Sequence, residues 1–211
     1  MEINELIELM SGVKDGNEAI GNKTLSWEAY RAAEQLNDTS LITEINTYIK
    51  NDDNETTRKY AYDILMYIGR NAGAGEATNI LIGQIKVEDY HDDNLHNVLD
   101  ALYSINIPLQ KGLDEILIYA FDERELIRTT AIQLLSRYTI EYGKIKGALM
   151  EVIEYHYDEY DLKYAIESLQ VLFPDDYRNI ILKKIEELKL NNKDENTITM
   201  IKTALNYIAI S

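Results

Sequence analysis

Apolar residues recur along this chain at intervals of three and four, the pattern of helices that each bury one face. Ile3, Leu6, Ile7 and Met10 share one face of a first helix, and Leu41, Ile42, Ile45, Tyr48 and Ile49 define a second. Ile80, Leu81 and Ile85 give a third, and Leu113, Ile116, Leu117 and Ala120 a fourth. Ile145, Leu149, Val152 and Ile153 mark a fifth, and Ile181, Ile185 and Leu188 a sixth. No stretch alternates with the two-residue period of a strand for long enough to predict one. Between these A helices lie six B helices whose sequences resemble one another.

The clearest B copies start Glu55-Thr-Thr-Arg58-Lys-Tyr-Ala61 and Glu125-Leu-Ile-Arg128-Thr-Thr-Ala131. With Arg58 and Arg128 as anchors, equivalent positions fall at Ser26, Leu95, Leu162 and Ile198, at successive spacings of 32, 37, 33, 34 and 36 residues. Three positions past the anchors stand Ala29, Ala61, Val98, Ala131, Ala165 and Ile201. Seven past stand Ala33, Leu65, Leu102, Leu135, Leu169 and Leu205, and ten past Leu36, Ile68, Ile105, Tyr138, Leu172 and Ile208. These columns predict an inner apolar spine. Small residues in the first column let neighbouring helices approach closely.

Six residues before the anchors are Asp52, Asp89, Asp122, His156 and Asn192, with Glu55, Asp92, Glu125, Glu159 and Glu195 three residues later. That spacing predicts an N-cap with an acidic partner in the first turn. The first unit, with Ile20 and Lys23 there, lacks it. Pro108 and Pro174 fall where a B helix must stop. Ser11 to Lys23, with three glycines, reads as a long connection, and Asn71-Ala-Gly73-Ala-Gly75 as a flexible joint.

Repetition with this period predicts an all-α chain, an α-α superhelix (solenoid) of about six antiparallel helix pairs. The approximate units are 1–38, 39–72, 73–107, 108–139, 140–174 and 175–211, forming one repeat domain over 1–211.

The B phrase resembles the HEAT and armadillo-like repeat family, in particular its short bacterial HEAT-like form. The resemblance is carried by Asp53, Arg58, Ala61, Leu65 and Ile68-Gly69, and by Asp122, Ile127-Arg128, Ala131 and Leu135. Leu95, Leu162 and Ile198 depart from it by replacing the family Arg. The resemblance implies a scaffold that holds a partner in a concave surface lined by B helices. It also admits HEAT-like enzymes, of the alkylpurine DNA glycosylase or bilin-lyase kinds.

Charge narrows these implications. The net charge is −16; residues 1–105 hold 8 basic and 19 acidic side chains, and residues 106–211 hold 13 and 18. Such a surface repels phosphate backbones, which disfavours nucleic acid, anionic membranes and a glycosylase, and suits a basic protein partner. The same charge also serves plain solubility. No apolar run reaches the ~18 residues of a membrane span. The acidic start Met1-Glu-Ile-Asn-Glu-Leu is unlike a secretory signal, and there is no cysteine. Together these predict a cytoplasmic protein.

B-helix positions one, five, eight and nine past the anchors are expected to face outward. They supply the candidate partner-binding residues Trp27, Arg31, Lys59, Asp63, Tyr67, His96, Asp100, Gln133, Arg137, Lys163 and Glu167. Aromatic and Arg side chains among mixed charge suit protein recognition. The reading is therefore a non-catalytic protein-binding module; a sharper variant is an immunity-type inhibitor of a basic toxin.

Other patterns predict no cofactor and no metal. His91 and His96 are five apart and do not share a helix face, and Asp92 with His96 makes two ligands only. Gly73-Ala-Gly75 follows no strand and precedes no Lys-Ser/Thr pair, so the nucleotide fingerprints fail. Glu151 to Asp161 interleaves acid with Tyr. It reads as a turn between an A and a B helix with buried rings, in preference to a clamp for basic side chains.

Overall fold

A computed structural model describes the chain apart from Met1, Val13 and residues 16–23, 52–53, 156–157, 192–194 and 209–211, and apart from the side chains of residues 56, 92, 207 and 208. Twelve α-helices form among the described residues, and no strand. The A helices are α1 (Ile3–Met10), α3 (Ile42–Asn51), α5 (Gly75–Gln84), α7 (Leu113–Tyr119), α9 (Tyr142–Tyr155) and α11 (Tyr177–Leu190). The B helices are α2 (Leu25–Ala33), α4 (Glu55–Ala72), α6 (Asp92–Ile105), α8 (Glu125–Leu134), α10 (Glu159–Leu172) and α12 (Glu195–Ile208). No helix is long and apolar enough to cross a membrane among the described residues. The chain divides into two compact units, Met1–Ile107 and Pro108–Ser211.

In the first unit α1 packs on α2, α3 on α4, α5 on both α4 and α6, and α4 along α6. The buried faces are the predicted ones: Ile3, Leu6, Ile7 and Met10 on α1, and Ile42, Ile45 and Ile49 on α3. The spine residues Ala29, Ala33, Ala61, Leu65, Ile68, Val98, Leu102 and Ile105 are all buried. Gly69, within α4, explains the closeness of α4 to α6. A Cβ there would stand 2.9 Å from Ile105 Cδ1 and 3.1 Å from Ala77 Cβ, and the alanine carbon cannot rotate away. Gly73 ends α4 with φ +65°, a conformation that favours glycine, and the chain turns into α5.

In the second unit α7 packs on α8, α8 on α10, α9 on α10, and α11 on α12, while α10 also packs on α12. Ala131, Leu135, Tyr138, Ala165, Leu169, Ile201 and Leu205 are buried, as the columns predict. Leu36 and Leu172 are only half-buried, and the side chain of Ile208 lies outside the described residues. Leu109 and Tyr138 form an isolated bridge, with the Leu109 amide donating to the Arg137 carbonyl at 2.8 Å. Pro108 and Pro174 stand just beyond α6 and α10, where the pattern placed the stops.

The helix starts correct one expectation. The acidic residues Glu55, Glu125, Glu159 and Glu195 open their helices rather than sitting three places in. Asp89 and Asp122 are therefore not the caps; His91 and Arg124 occupy those positions. The Asp122 carboxylate instead accepts the Arg124 amide at 2.8 Å, two residues on, and binds the Arg124 guanidinium at 2.8 Å. In α10 the capping side chain is Asp158, which accepts the amides of Tyr160 and Asp161. Asp52, His156 and Asn192 lie outside the described residues.

Candidate functional site

The anchor arginines are buried, 8% exposed at Arg58 and 4% at Arg128, and each bonds an acid 30 or 33 residues further on. Arg58 donates from Nε to Glu88 Oε1 at 2.7 Å and from NH2 to Oε2 at 3.0 Å. The Tyr62 hydroxyl donates to the same carboxylate, and Asn94 Nδ2 donates to it at 3.3 Å and to the Glu55 carbonyl at 3.1 Å. Burial pushes the Glu88 carboxyl up, and the hydrogen bonds from Arg58, Tyr62 and Asn94 more than reverse it, leaving it below the usual range. Arg128 donates from Nε to both Asp161 oxygens at 2.8 and 2.9 Å. Its NH2 reaches Asp158 at 3.0 Å, and its NH1 reaches the carbonyls of Asp122 and Glu123. Arg58 thus holds the turn ahead of α6 and Arg128 the start of α10, and their partners are enclosed: Glu88 and Asp161 are each 0% exposed. Each pair thereby ties together two B helices whose candidate residues make up the expected outward face.

In the first unit that face brings many of the expected residues together. Trp27 on α2 is 43% exposed, with the Arg31 guanidinium 5.6 Å from its ring centroid and paired to Glu34 at 2.5 Å. On α4, Lys59 Nζ stands 5.2 Å from the Tyr60 centroid, and the Arg70 guanidinium 5.2 Å from that of Tyr67. Tyr30 on α2 meets Tyr60 edge-on, with centroids 6.1 Å apart and planes at 72°. Asp63 lies amid these groups. Burial pushes its carboxyl up to about 6, with Lys59 opposing and Asp100 of α6 adding. Burial also pushes the Tyr30 and Tyr67 hydroxyls up, and for both Asp63 is the next contribution. Asp100 is exposed and His96 half-buried.

In the second unit the face is split. Gln133 on α8 and Arg137 just after it are half-buried, and Thr129 is closed off, its hydroxyl bonded to the Glu125 carbonyl at 2.9 Å. Lys163 and Glu167 pair along α10 at 3.8 Å, and Lys163 lies 5.4 Å from the Tyr164 centroid. An open groove of ≈ 470 Å³ runs between α10 and α12. Leu162, Met200 and Ala204 give it an apolar lining; Glu159, Tyr160, Lys163, Thr199 and Thr203 supply polar groups.

Within Glu151 to Asp161, α9 runs to Tyr155, α10 starts at Glu159 and residues 156–157 lie outside the described residues; the described rings are not buried as expected, Tyr155 being 59% and Tyr160 49% exposed. Tyr160 lies on the groove instead of in the core. His91 Nδ1 pairs with Glu55 at 2.8 Å, and no group of three His, Cys, Asp or Glu side chains is placed to hold a metal among the described residues.

Sequence reasoning missed four contributors: Glu88, Asp161, Tyr30 and Tyr60. A signal existed for Asp161. The position before the other anchors holds Leu25, Thr57, Asn94, Ile127 and Thr197, so a charged residue stands there in this copy alone. No family model matches the sequence, and no curated protein matches it.

Proposed function

We propose that this chain is a non-catalytic protein-binding module that recognises a basic protein through the outward face of its B helices. On this reading the helix pairs are HEAT-like repeats of an α-α superhelix, and the chain works in the cytoplasm. The observation that carries it is the first unit's face, where Trp27, Tyr30 and Tyr67 stand among Asp63, Asp100 and Glu34 on a unit of net charge −11. Aromatic rings beside acids offer apolar area and charge to a Lys- or Arg-rich surface. Negative charge speeds encounter with such a partner and turns away phosphate backbones. Helices held by buried ion pairs present these groups already ordered, which lowers the entropy cost of binding.

The test is capture from native lysate with the immobilised protein, eluted by increasing salt, beside a variant carrying Asp100→Lys and Glu167→Lys. Both sites project from helix surfaces, so the charge reversal leaves the core untouched. The expected result is a basic partner that elutes at moderate salt and is held at least tenfold less by the variant, a shift of ~1.4 kcal/mol. Recovery of only acidic or neutral proteins, retained equally by both forms, would overturn the reading.

A further inference from the structure

Within that reading, the ring cluster on α2 and α4 points to a particular occupant. Three tyrosines from two helices converge there: Tyr30 edge-on to Tyr60, and Tyr67 two helical turns along α4 from Tyr60. The outer rings of Trp27 and Tyr67 each attract a cation from their own chain, Arg31 and Arg70, and Lys59 stands beside the buried Tyr60. The faces of these rings are therefore the electron-rich surfaces on which a cation settles. Asp63 differs from the other acids of the region. Glu34 is paired with Arg31, and Glu88 is enclosed by Arg58, Tyr62 and Asn94. Asp63, half-buried, receives neither a hydrogen bond nor an ion pair from the described residues. A carboxylate withdrawn from water without a donor gains most from a cation brought to it.

We propose that Tyr30, Asp63 and Tyr67, with the buried Tyr60 ring standing edge-on to Tyr30, form a site for one cationic side chain, Lys or Arg, of the basic partner. The rings contact the apolar stem and the spread charge, and Asp63 supplies the counter-charge. The inference rests on the basic-partner reading but can fail separately from it. It also explains why an unpaired acid is tolerated at this place.

Asp63 must be ionised to act. Burial sets its titration first, with Lys59 on its own helix opposing and Asp100 on α6 adding, and the neutral Tyr30 and Tyr67 hydroxyls stand beside it. With the carboxyl titrating near 6, a cation binds the ionised form and competes with a proton. Affinity should then fall about tenfold between pH 7.5 and pH 5.

The experiment uses N-acetyl-lysine methylamide and N-acetyl-arginine methylamide, with N-acetyl-norleucine methylamide as the neutral counterpart. Ring resonances of Tyr30, Tyr60 and Tyr67 are followed in the full chain during titration at pH 7.5 and pH 5, and again in Asp63→Asn. The expected result is a saturable shift with both cations, none with norleucine, and at least tenfold weaker binding in Asp63→Asn and at pH 5. The pH arm uses the unaltered chain, so it stands even if the variant misfolds. An equal response to norleucine, equal affinity at the two pH values, or no ring shift would each overturn the site. If the probes fail while a basic partner is captured, this site falls and the broader reading stands. If they bind while no basic partner is captured, the reverse holds.

Discussion

Replacing Arg128 with methionine is expected to lower the unfolding free energy by about 3–5 kcal/mol, the usual cost of breaking a buried ion pair from one side. Methionine fills much of the arginine stem's volume, so the loss is electrostatic more than steric. It strands Asp161, which is 0% exposed, and removes donors from the carbonyls of Asp122 and Glu123 and from the α10 cap Asp158. The double variant Arg128→Met with Asp161→Leu should recover most of the loss, because the uncompensated charge disappears with its partner. Recovery stays incomplete, since the two carbonyls remain without their donor. Urea unfolding followed by helical circular dichroism measures both. A cost below ~1 kcal/mol for the single variant would show that the pair acts as an exposed one.

Asp63→Asn is expected to act in the opposite direction, raising stability at pH 7.5 by about 2–3 kcal/mol. The carboxyl titrates near 6 in the folded chain against 3.8 as the ordinary value. Between those values the folded state holds a proton that the unfolded chain has released. The contribution of Asp63 to stability therefore declines as pH rises through that window and stays lost above it. Asparagine has the same shape and no charge to desolvate. The gain should be full at pH 7.5 and close to zero at pH 3.5, which urea unfolding at the two pH values reads directly. A loss of stability at pH 7.5 would mean that Lys59 holds the ionised carboxylate favourably. Greater stability together with weaker cation binding in one variant would mark Asp63 as a group kept for recognition at the expense of stability.

The helices were legible because burial imposes a period on the sequence. Ile45 and Ile49, Leu65 and Ile68, and Leu169 each fall where a 3.6-residue repeat requires an apolar side chain, and each is buried. The caps were legible only to within two residues. Asp122 and Asp158 are alike as residues, but the first turns back on Arg124 while the second caps α10. Composition cannot tell an Asx turn from a cap when both lie just ahead of a helix. The ion pairs were half legible. Arg58 and Arg128 stood out as repeated cations in an apolar register, whereas Glu88 sits in the turn between α5 and α6, outside the period that reveals helix faces. The ring cluster was the least legible part. Tyr30 shares its position with Tyr62, Leu99, Ile132 and Ile166, which are buried, and with the exposed Lys202, and so reads mostly as core. It is half-buried, edge-on to Tyr60, and Asn71 of α4 donates to the Glu34 and Leu36 carbonyls just past α2 at 2.8 Å.

Binding of a partner at the B-helix face is directly measurable because the sequence contains no cysteine. Single cysteines at Asp100 and Glu167 report on that face, and single cysteines at Glu44 and Glu187 report on the A helices. Thiol labelling rates are compared with and without the captured basic partner. Labelling slowed at least tenfold at 100 or 167, with 44 and 187 unchanged, is the result expected of a B-face complex. Protection confined to 44 and 187, or no protection at any of the four, would contradict it.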